Sequence, residues 1–200
     1  MNPLATDLEA IRQRARANIL DGAITGAYQA DRERVISVLN EVLATEIVCT
    51  LRYKHHYHMA SGILANPVAD EFLEHAKEEE AHADMVAKRI TELGGRPNMS
   101  PEGLATRSHA EYREGTDLQD MIKEDLIAER IAIETYNEIA RWLGDADISS
   151  RRMIEEILAK EEEHADDLAK LLTHMGHGAN GGNGNGTSAT GAAPVNSARR

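Results

Sequence analysis

The chain of 200 residues is poor in several residue types that define other protein classes. It has one cysteine, Cys49, which permits no intrachain disulfide and no cysteine-rich zinc or iron–sulfur site. Aromatic residues make up 4 % of the chain and hydrophobic residues 42 %. Because strands favour aromatic and β-branched runs, this composition favours an all-α protein, in which we expect Cys49 to be a small buried residue.

Two further absences limit location and partners. No uninterrupted apolar segment approaches the ~20 residues that cross a bilayer, and residues 1–6 lack the basic stretch followed by an apolar run of a signal peptide. The formal net charge of −12 argues against a chain built to bind nucleic acid. We therefore expect a cytoplasmic protein without membrane or nucleic-acid partners.

Apolar residues recur at three- and four-residue spacing in four long segments. The spacing predicts amphipathic helices over residues 31–61, 67–93, 117–143 and 149–175. Residues 96–116 contain two prolines and two glycines. This segment is far longer than the few residues that connect neighbouring antiparallel helices. The order of hairpin, long crossover and hairpin predicts a four-helix bundle with one crossover between its second and third helices.

The segments outside the bundle differ in character. Residues 1–30 are predicted to hold an extra N-terminal helix, at residues 4–20, and a linker to the bundle at residues 31–175. Residues 176–200 are rich in Gly, Asn and Ser, and they carry too little apolar surface to offset the entropy of ordering. We expect them to form a disordered C-terminal tail.

A repeated Glu-x-x-His motif is the most informative feature, and each copy follows a glutamate that lies on an apolar helical stripe. The six residues are Glu46, Glu79, His82, Glu129, Glu161 and His164. One copy of the motif alone would indicate only an ordinary solvent-exposed face of a helix. An unpaired charge on a buried stripe costs several kcal/mol, however, and metal ions supply the missing counter-charge. Together the six residues predict a carboxylate-bridged two-metal centre.

The chemistry of such a centre suggests a role for each ligand. Carboxylate oxygens suit iron and manganese and can bridge two ions, which at a separation of ~3.5–4 Å share one oxidant. We assign Glu79 and Glu161 as the bridges. The terminal ligands are the pairs Glu46 with His82 and Glu129 with His164.

Two residues are candidates for supporting roles. Tyr53 lies seven residues after Glu46, two turns further along the same helix face. From there it could donate a hydrogen bond to a ligand carboxylate or an electron to the site. The alternative is a tyrosine that only packs in the core. Asp125 lies four residues before Glu129 and is a candidate acceptor for a ligand histidine N–H, with an ordinary buried hydrogen bond as the alternative.

Three histidines close to Tyr53 suggest a second metal site, but their helical positions diverge. We interpret His55, His56 and His58 as dispersed surface residues, with a subunit contact or a metal entry point as alternatives.

The motifs closely resemble those of bacterioferritins over roughly residues 32–175. The resemblance rests on residues 39–46, on Tyr53, on Asp125 with Glu129, and on both Glu-x-x-His copies. It implies a ferritin-like bundle with two iron ions per subunit, manganese being an alternative. It also implies a ferroxidase whose catalytic residues are the six ligands and Tyr53. Such a protein would oxidise Fe(II) with O2 or H2O2 and store Fe(III) mineral inside a hollow homo-oligomer.

The chain departs from bacterioferritins in three places. Glu80 follows the ligand Glu79 where bacterioferritins have their haem-ligating methionine, so haem is not expected. The short fifth helix at the C-terminus is replaced by the Gly/Asn-rich tail, and an N-terminal helix is added. A shell of 12 subunits, as in Dps-like proteins, is therefore an alternative to the usual 24.

Two other functions are compatible with the sequence. One is a di-iron or di-manganese peroxidase or catalase of the same fold, since manganese catalases use much the same ligands. The other is a Dps-like protective shell, opposed by the net charge of −12 and supported by basic residues near both ends of the chain: Arg12, Arg14, Arg16, Arg199 and Arg200.

Overall fold

Helices account for the regular secondary structure of the part of the chain that the computed structural model describes, residues 6–62 and 65–180, the last five as backbone only. The helices are α1 (Leu8–Arg16), α2 (Arg32–Met59), α3 (Ala65–Glu92), α4 (Leu104–Arg107), α5 (Leu118–Leu143) and α6 (Ile148–Asn180), with a 3-10 turn at Ile19–Asp21. The predicted all-α bundle is confirmed. None of these described helices is long and apolar enough to cross a membrane.

The bundle consists of two hairpins, α2 with α3 and α5 with α6, whose helices also pack across the pair as α2 on α5 and α3 on α6. The segment from α3 to α5 is the predicted crossover, and it contains the short α4. At its start Gly95 lies against Ile36 so closely that a Cβ atom would be 2.8 Å from the Ile36 side chain. The chain therefore turns there at a residue without a side chain.

Aspartates cap the starts of α2 and α5. Asp31 accepts a hydrogen bond from the backbone N–H of Arg34 at the start of α2, and Asp117 does the same for Asp120 at the start of α5. Such caps satisfy amide groups that have no partner within the helix. They explain why the predicted starts of these two helices lie within one residue of those observed.

The ends of the chain differ from the sequence-based boundaries. The N-terminal helix, predicted at residues 4–20, is Leu8–Arg16, and residues 4–5 lie outside the described part of the chain. It ends before residue 20 because Ala17 is extended and Asn18 adopts a left-handed conformation. α6 continues to Asn180, past the predicted end at residue 175. The remainder of the predicted tail lies outside the described residues.

The two larger apolar clusters of the described residues lie towards opposite ends of the bundle, and a small third one joins Cys49, Ala110 and Ala128. The larger contains Leu39, Leu43, Val86, Ile90, Ala132, Tyr136, Ile154 and Ile157, and the smaller contains Tyr53, Val68, Phe72, Ala76, Met121, Ile122 and Leu168. On each of the four long helices, the predicted metal ligands lie between the residues of one cluster and those of the other. The interior therefore has a polar layer between two apolar ones.

Candidate metal centre

The polar layer of the bundle contains all six predicted ligands. Each is buried: five are 1 % exposed and His82 is 6 % exposed. One glutamate comes from α2, one from α5, and a Glu-x-x-His pair from each of α3 and α6. Residues three apart on a helix lie on one face, so each pair directs its carboxylate and its imidazole to the same interior point.

These side chains form two groups in which one potential ligand atom per residue lies within 4.8 Å of all the others. The first group is Glu46, Glu79, His82 and Glu161, and the second is Glu79, Glu129, Glu161 and His164. Glu79 and Glu161 belong to both groups. A carboxylate has two oxygens and can serve two metal ions, which is the arrangement required of a bridging ligand.

The buried polar atoms of the layer are suited to cations. Six of them have no hydrogen-bond partner among the described residues: Glu46 Oε2, Glu79 Oε1, His82 Nδ1, both carboxylate oxygens of Glu161, and His164 Nδ1. Nδ1 of His82 lies 3.1 Å from Glu161 Oε1 and 3.3 Å from Glu46 Oε2. Nδ1 of His164 lies 3.2 Å from Glu79 Oε1. Each unsatisfied buried group costs about 1–3 kcal/mol, and metal ions between these atoms would satisfy them together.

The electrostatics of the layer favour proton uptake wherever no cation is bound. Burial, followed by the charges of Glu161, Glu129 and Glu46, raises the pKa of Glu79 well above its ordinary value. Burial and the same kind of neighbouring charges likewise raise the pKa of Glu161. Because a metal ion binds the ionised carboxylates, the raised pKa values make metal binding to Glu79 and Glu161 compete with protons.

Two tyrosines reach across the bundle to the terminal glutamates. Tyr53 on α2 donates a hydrogen bond to Oε1 of Glu129 on α5, and Tyr136 on α5 donates one to Oε1 of Glu46 on α2. Both tyrosines are fully buried, and burial raises the pKa of each hydroxyl well above its usual value. Tyr136 was not among the predicted site residues. The internal repeat contained the signal, because Tyr136 follows Glu129 by the same seven residues as Tyr53 follows Glu46.

The acceptor for the predicted ligand His164 is Glu78, and of the two alternatives for Asp125 the structure shows the buried hydrogen bond. Nε2 of His164 lies 2.7 Å from Glu78 Oε2. Glu78 is partly exposed, and its hydrogen bond with His164 lowers its pKa although burial acts in the opposite direction. With Nε2 bonded to Glu78, Nδ1 of His164 is the atom that faces the interior of the centre.

Asp125 belongs instead to a buried ion-pair network beside the centre. Its two oxygens lie 2.7 Å from Arg52 Nε and 2.8 Å from His56 Nδ1, and all three side chains are fully buried. Arg52 and His56 also donate hydrogen bonds to the backbone oxygens of Glu111 and Arg113 in the crossover. The interpretation of His56 as a surface residue is therefore wrong, because the crossover covers it.

The comparisons with known proteins agree with this architecture. A family model described as a ferritin-like domain matches residues 36–176. The chain belongs to the ferritin-like family. The matched segment runs from α2 to α6 and contains all six predicted ligands.

Relatives of the chain include a bacterioferritin and a DNA protection protein. The chain is 30 % identical to a bacterioferritin of Brucella melitensis over 142 residues, which cover 70 % of this chain and 83 % of the relative. It is 28 % identical over 165 residues to a DNA protection during starvation protein of Halobacterium salinarum, with 80 % and 90 % covered.

Among solved structures, the fold is similar to the bacterioferritin-related protein of Bacteroides fragilis, a dodecameric thioferritin. The TM-score is 0.75 at 31 % sequence identity, and the match covers 78 % of this chain and 94 % of the other.

Proposed function

We propose that this ferritin-like protein is a ferroxidase that stores or detoxifies iron. Fe(II) is its substrate, and two iron ions per subunit occupy the layer between the apolar clusters. The single observation that carries the proposal is the sharing of Glu79 and Glu161 between two four-residue groups. Two separate mononuclear sites would need no shared carboxylates, whereas a pair of metal ions requires them.

Each residue has a defined part in this proposal. Glu46 with His82 binds one ion, Glu129 with His164 binds the other, and Glu79 with Glu161 bridges them. The bound ions supply the electrons that reduce O2 or H2O2, one from each Fe(II). Tyr136 and Tyr53 fix the orientation of Glu46 and Glu129 through their hydrogen bonds. Tyr53, predicted as a catalytic residue, acts in this proposal as a positioning residue on one terminal ligand, as Tyr136 does on the other.

The assembly we propose is a hollow homo-oligomer that holds Fe(III) mineral. Twelve subunits are favoured over 24 because the dodecameric relative matches 78 % of this chain at 31 % identity. The cytoplasm stays the predicted location, and the absence of haem stays a prediction that rests on Glu80.

The proposal is tested by substituting the shared carboxylates. Glu79→Gln and Glu161→Gln remove one bridging charge each. The matched controls are Glu80→Gln and Glu162→Gln, which remove a charge from the exposed neighbouring position on the same helix. Oxidation of Fe(II) in air is followed by the absorbance of Fe(III).

We expect each bridging variant to slow oxidation by more than about 100-fold. That loss exceeds the 10–100-fold effect typical of residues that only support metal ligands. The control variants should retain the wild-type rate. Rates in the bridging variants equal to those of the controls would show that these carboxylates do not bind the reacting iron.

Protection from oxidants is a second candidate function, favoured by the match to the DNA protection protein over 80 % of the chain. Consumption of H2O2 together with Fe(II) would serve storage and protection at once. Catalase or peroxidase activity, with iron or manganese, predicts H2O2 turnover with no consumption of Fe(II). Measuring H2O2 loss with and without added Fe(II) separates these cases.

A further inference from the structure

A second cluster of carboxylates and imidazole adjoins the dinuclear centre, outside the six ligands. It consists of Glu71 and His75 on α3 and Asp167 on α6, and one potential ligand atom of each lies within 4.8 Å of the other two. His75 is 2 % exposed, whereas the side chains of Glu71 and Asp167 are 32 % and 36 % exposed. The cluster therefore extends from the protein surface to a buried imidazole.

The hydrogen bonds around His75 determine which of its nitrogens faces this cluster with a lone pair. Tyr53 has one hydroxyl proton, which it donates to Glu129. Nδ1 of His75 lies 3.3 Å from the same hydroxyl oxygen, so Nδ1 carries the proton and donates it to that oxygen. In the neutral form of the imidazole Nε2 is then an acceptor, and it lies 3.4 Å from Oε1 of Glu71.

Nε2 of His75 and Oε1 of Glu71 face each other across 3.4 Å, a gap that a proton or a metal cation can bridge, and Asp167 adds a further carboxylate. Imidazole nitrogen with carboxylate oxygens is a common ligand set for divalent transition metals. Lys170 contacts Asp167 at 3.0 Å, but its side chain is 59 % exposed and can move away into solvent.

We infer that Glu71, His75 and Asp167 form a third site, for a divalent transition-metal cation, next to the dinuclear centre. The imidazole of His75 stacks on that of the proposed ligand His164, with ring centroids 4.0 Å apart. The stacked imidazoles of His75 and His164 thus separate a cation held by the cluster from the dinuclear centre. The partly exposed carboxylates of Glu71 and Asp167 leave that cation accessible to solvent. The site deepens the proposed function, because it would hold Fe(II) at the surface side of the oxidation centre.

The test uses Zn²⁺, which is redox-inert and accepts the same ligands, on the metal-free full-length protein. The cluster variant is Glu71→Gln combined with Asp167→Asn, at partly exposed positions that keep the buried His75 stack intact. The matched control is Glu74→Gln combined with Asp166→Asn, which removes two exposed charges at neighbouring positions of the same helices. Zinc per chain is measured after equilibrium dialysis, and crystals soaked with Zn²⁺ are examined by anomalous diffraction.

We expect the cluster variant to bind about one Zn²⁺ per chain fewer than the wild type, and the control variant to match the wild type. An anomalous peak should lie between Glu71, His75 and Asp167 in the wild type. Equal zinc contents in the wild type and the cluster variant, or an equal loss in the control variant, would overturn the inference.

A separate variant distinguishes this inference from the proposed function. Glu46→Ala removes a ligand of the dinuclear centre and does not touch the cluster, so it should lower zinc at the centre and leave the peak at His75. Unchanged zinc in Glu46→Ala would count against the dinuclear centre alone, and a missing peak at His75 would count against the third site alone.

Discussion

Tyr136 donates its hydrogen bond to Oε1 of Glu46, while Oε2 of the same carboxylate faces His82 at 3.3 Å without a hydrogen-bond partner of its own. The tyrosine therefore determines which oxygen of Glu46 is available to a metal ion. Tyr53 makes the corresponding contact to Glu129 from the opposite direction. The two hydrogen bonds cross the bundle between α2 and α5 and hold both terminal glutamates in place.

The first prediction concerns Tyr136→Phe. Loss of the hydroxyl leaves Glu46 without its buried donor, so we expect iron oxidation to slow by about 10–100-fold, as when other residues that support metal ligands are removed. Stability should fall by about 1–3 kcal/mol, the cost of an unpaired buried acceptor. Stopped-flow oxidation and chemical unfolding measure the two effects. Tyr112→Phe, at a tyrosine that is 40 % exposed, is the control and should change neither.

The second prediction concerns pH and the metal-free protein. Glu79 and Glu161 have folded-state pKa values raised above the ordinary 4.5. Their contribution to stability is therefore complete below about pH 4.5 and is lost as the pH rises through the raised values. The melting temperature of the metal-free protein should fall as the pH rises above about 4.5. The metal-loaded protein should not show this fall, since bound cations stabilise the ionised carboxylates.

The same measurement has an internal control. Combining Glu79→Gln with Glu161→Gln should flatten the pH dependence of the metal-free protein, and combining Glu80→Gln with Glu162→Gln should preserve it. If both double variants kept the wild-type slope, the buried glutamates would not be its source.

The third prediction concerns the buried network of Asp125. Asp125→Ala leaves Arg52 and His56 buried without their shared carboxylate, and we expect a loss of about 3–5 kcal/mol in the free energy of unfolding. Asp145 also pairs with an arginine, at 2.9 Å, but its side chain is 96 % exposed. Asp145→Ala should therefore cost less than about 1 kcal/mol. Similar losses in the two variants would mean that the buried network contributes little.

The fourth prediction concerns Glu78, the acceptor for His164. Glu78→Gln keeps the size of the side chain and removes the charge that holds the imidazole in its orientation. Metal affinity at the centre should fall by about 10–100-fold, as measured by competition with a chelator. Glu80→Gln, on the exposed side of the same helix, should leave the affinity unchanged. If Glu78→Gln bound metal as tightly as the control variant, contacts other than the one to Glu78 would hold His164 in its orientation.

Much of the fold was predictable because the helices are amphipathic and their ends are marked. Apolar spacing gave the four long helices, and the length of the connection between the second and third gave the crossover. The grouping of the six site residues was predictable for a related reason. Glu46 and Glu129 interrupt apolar stripes, and an interrupted stripe shows that a charged group is directed to the interior.

The partners of several polar residues depend on tertiary packing that no local pattern contains. His56 is buried because the crossover lies over it, and its contacts to Arg113 and Asp125 join residues 57 and 69 positions apart. Glu78 lies in a run of three glutamates, so its sequence context does not separate it from solvated neighbours. The seven-residue spacing that Tyr136 shares with Tyr53 was available in the sequence, whereas the partner of Glu78 was not.

The most direct test of the account is the iron content of the assembled protein after loading. Metal-free protein receives a large excess of Fe(II) in air, and iron is measured across a calibrated sizing column. We predict that far more than about two irons per chain co-elute with a large oligomer. Retention of about two irons per chain without mineral would contradict storage and leave a redox enzyme. Failure to retain any iron would contradict the assignment of the six ligands to iron.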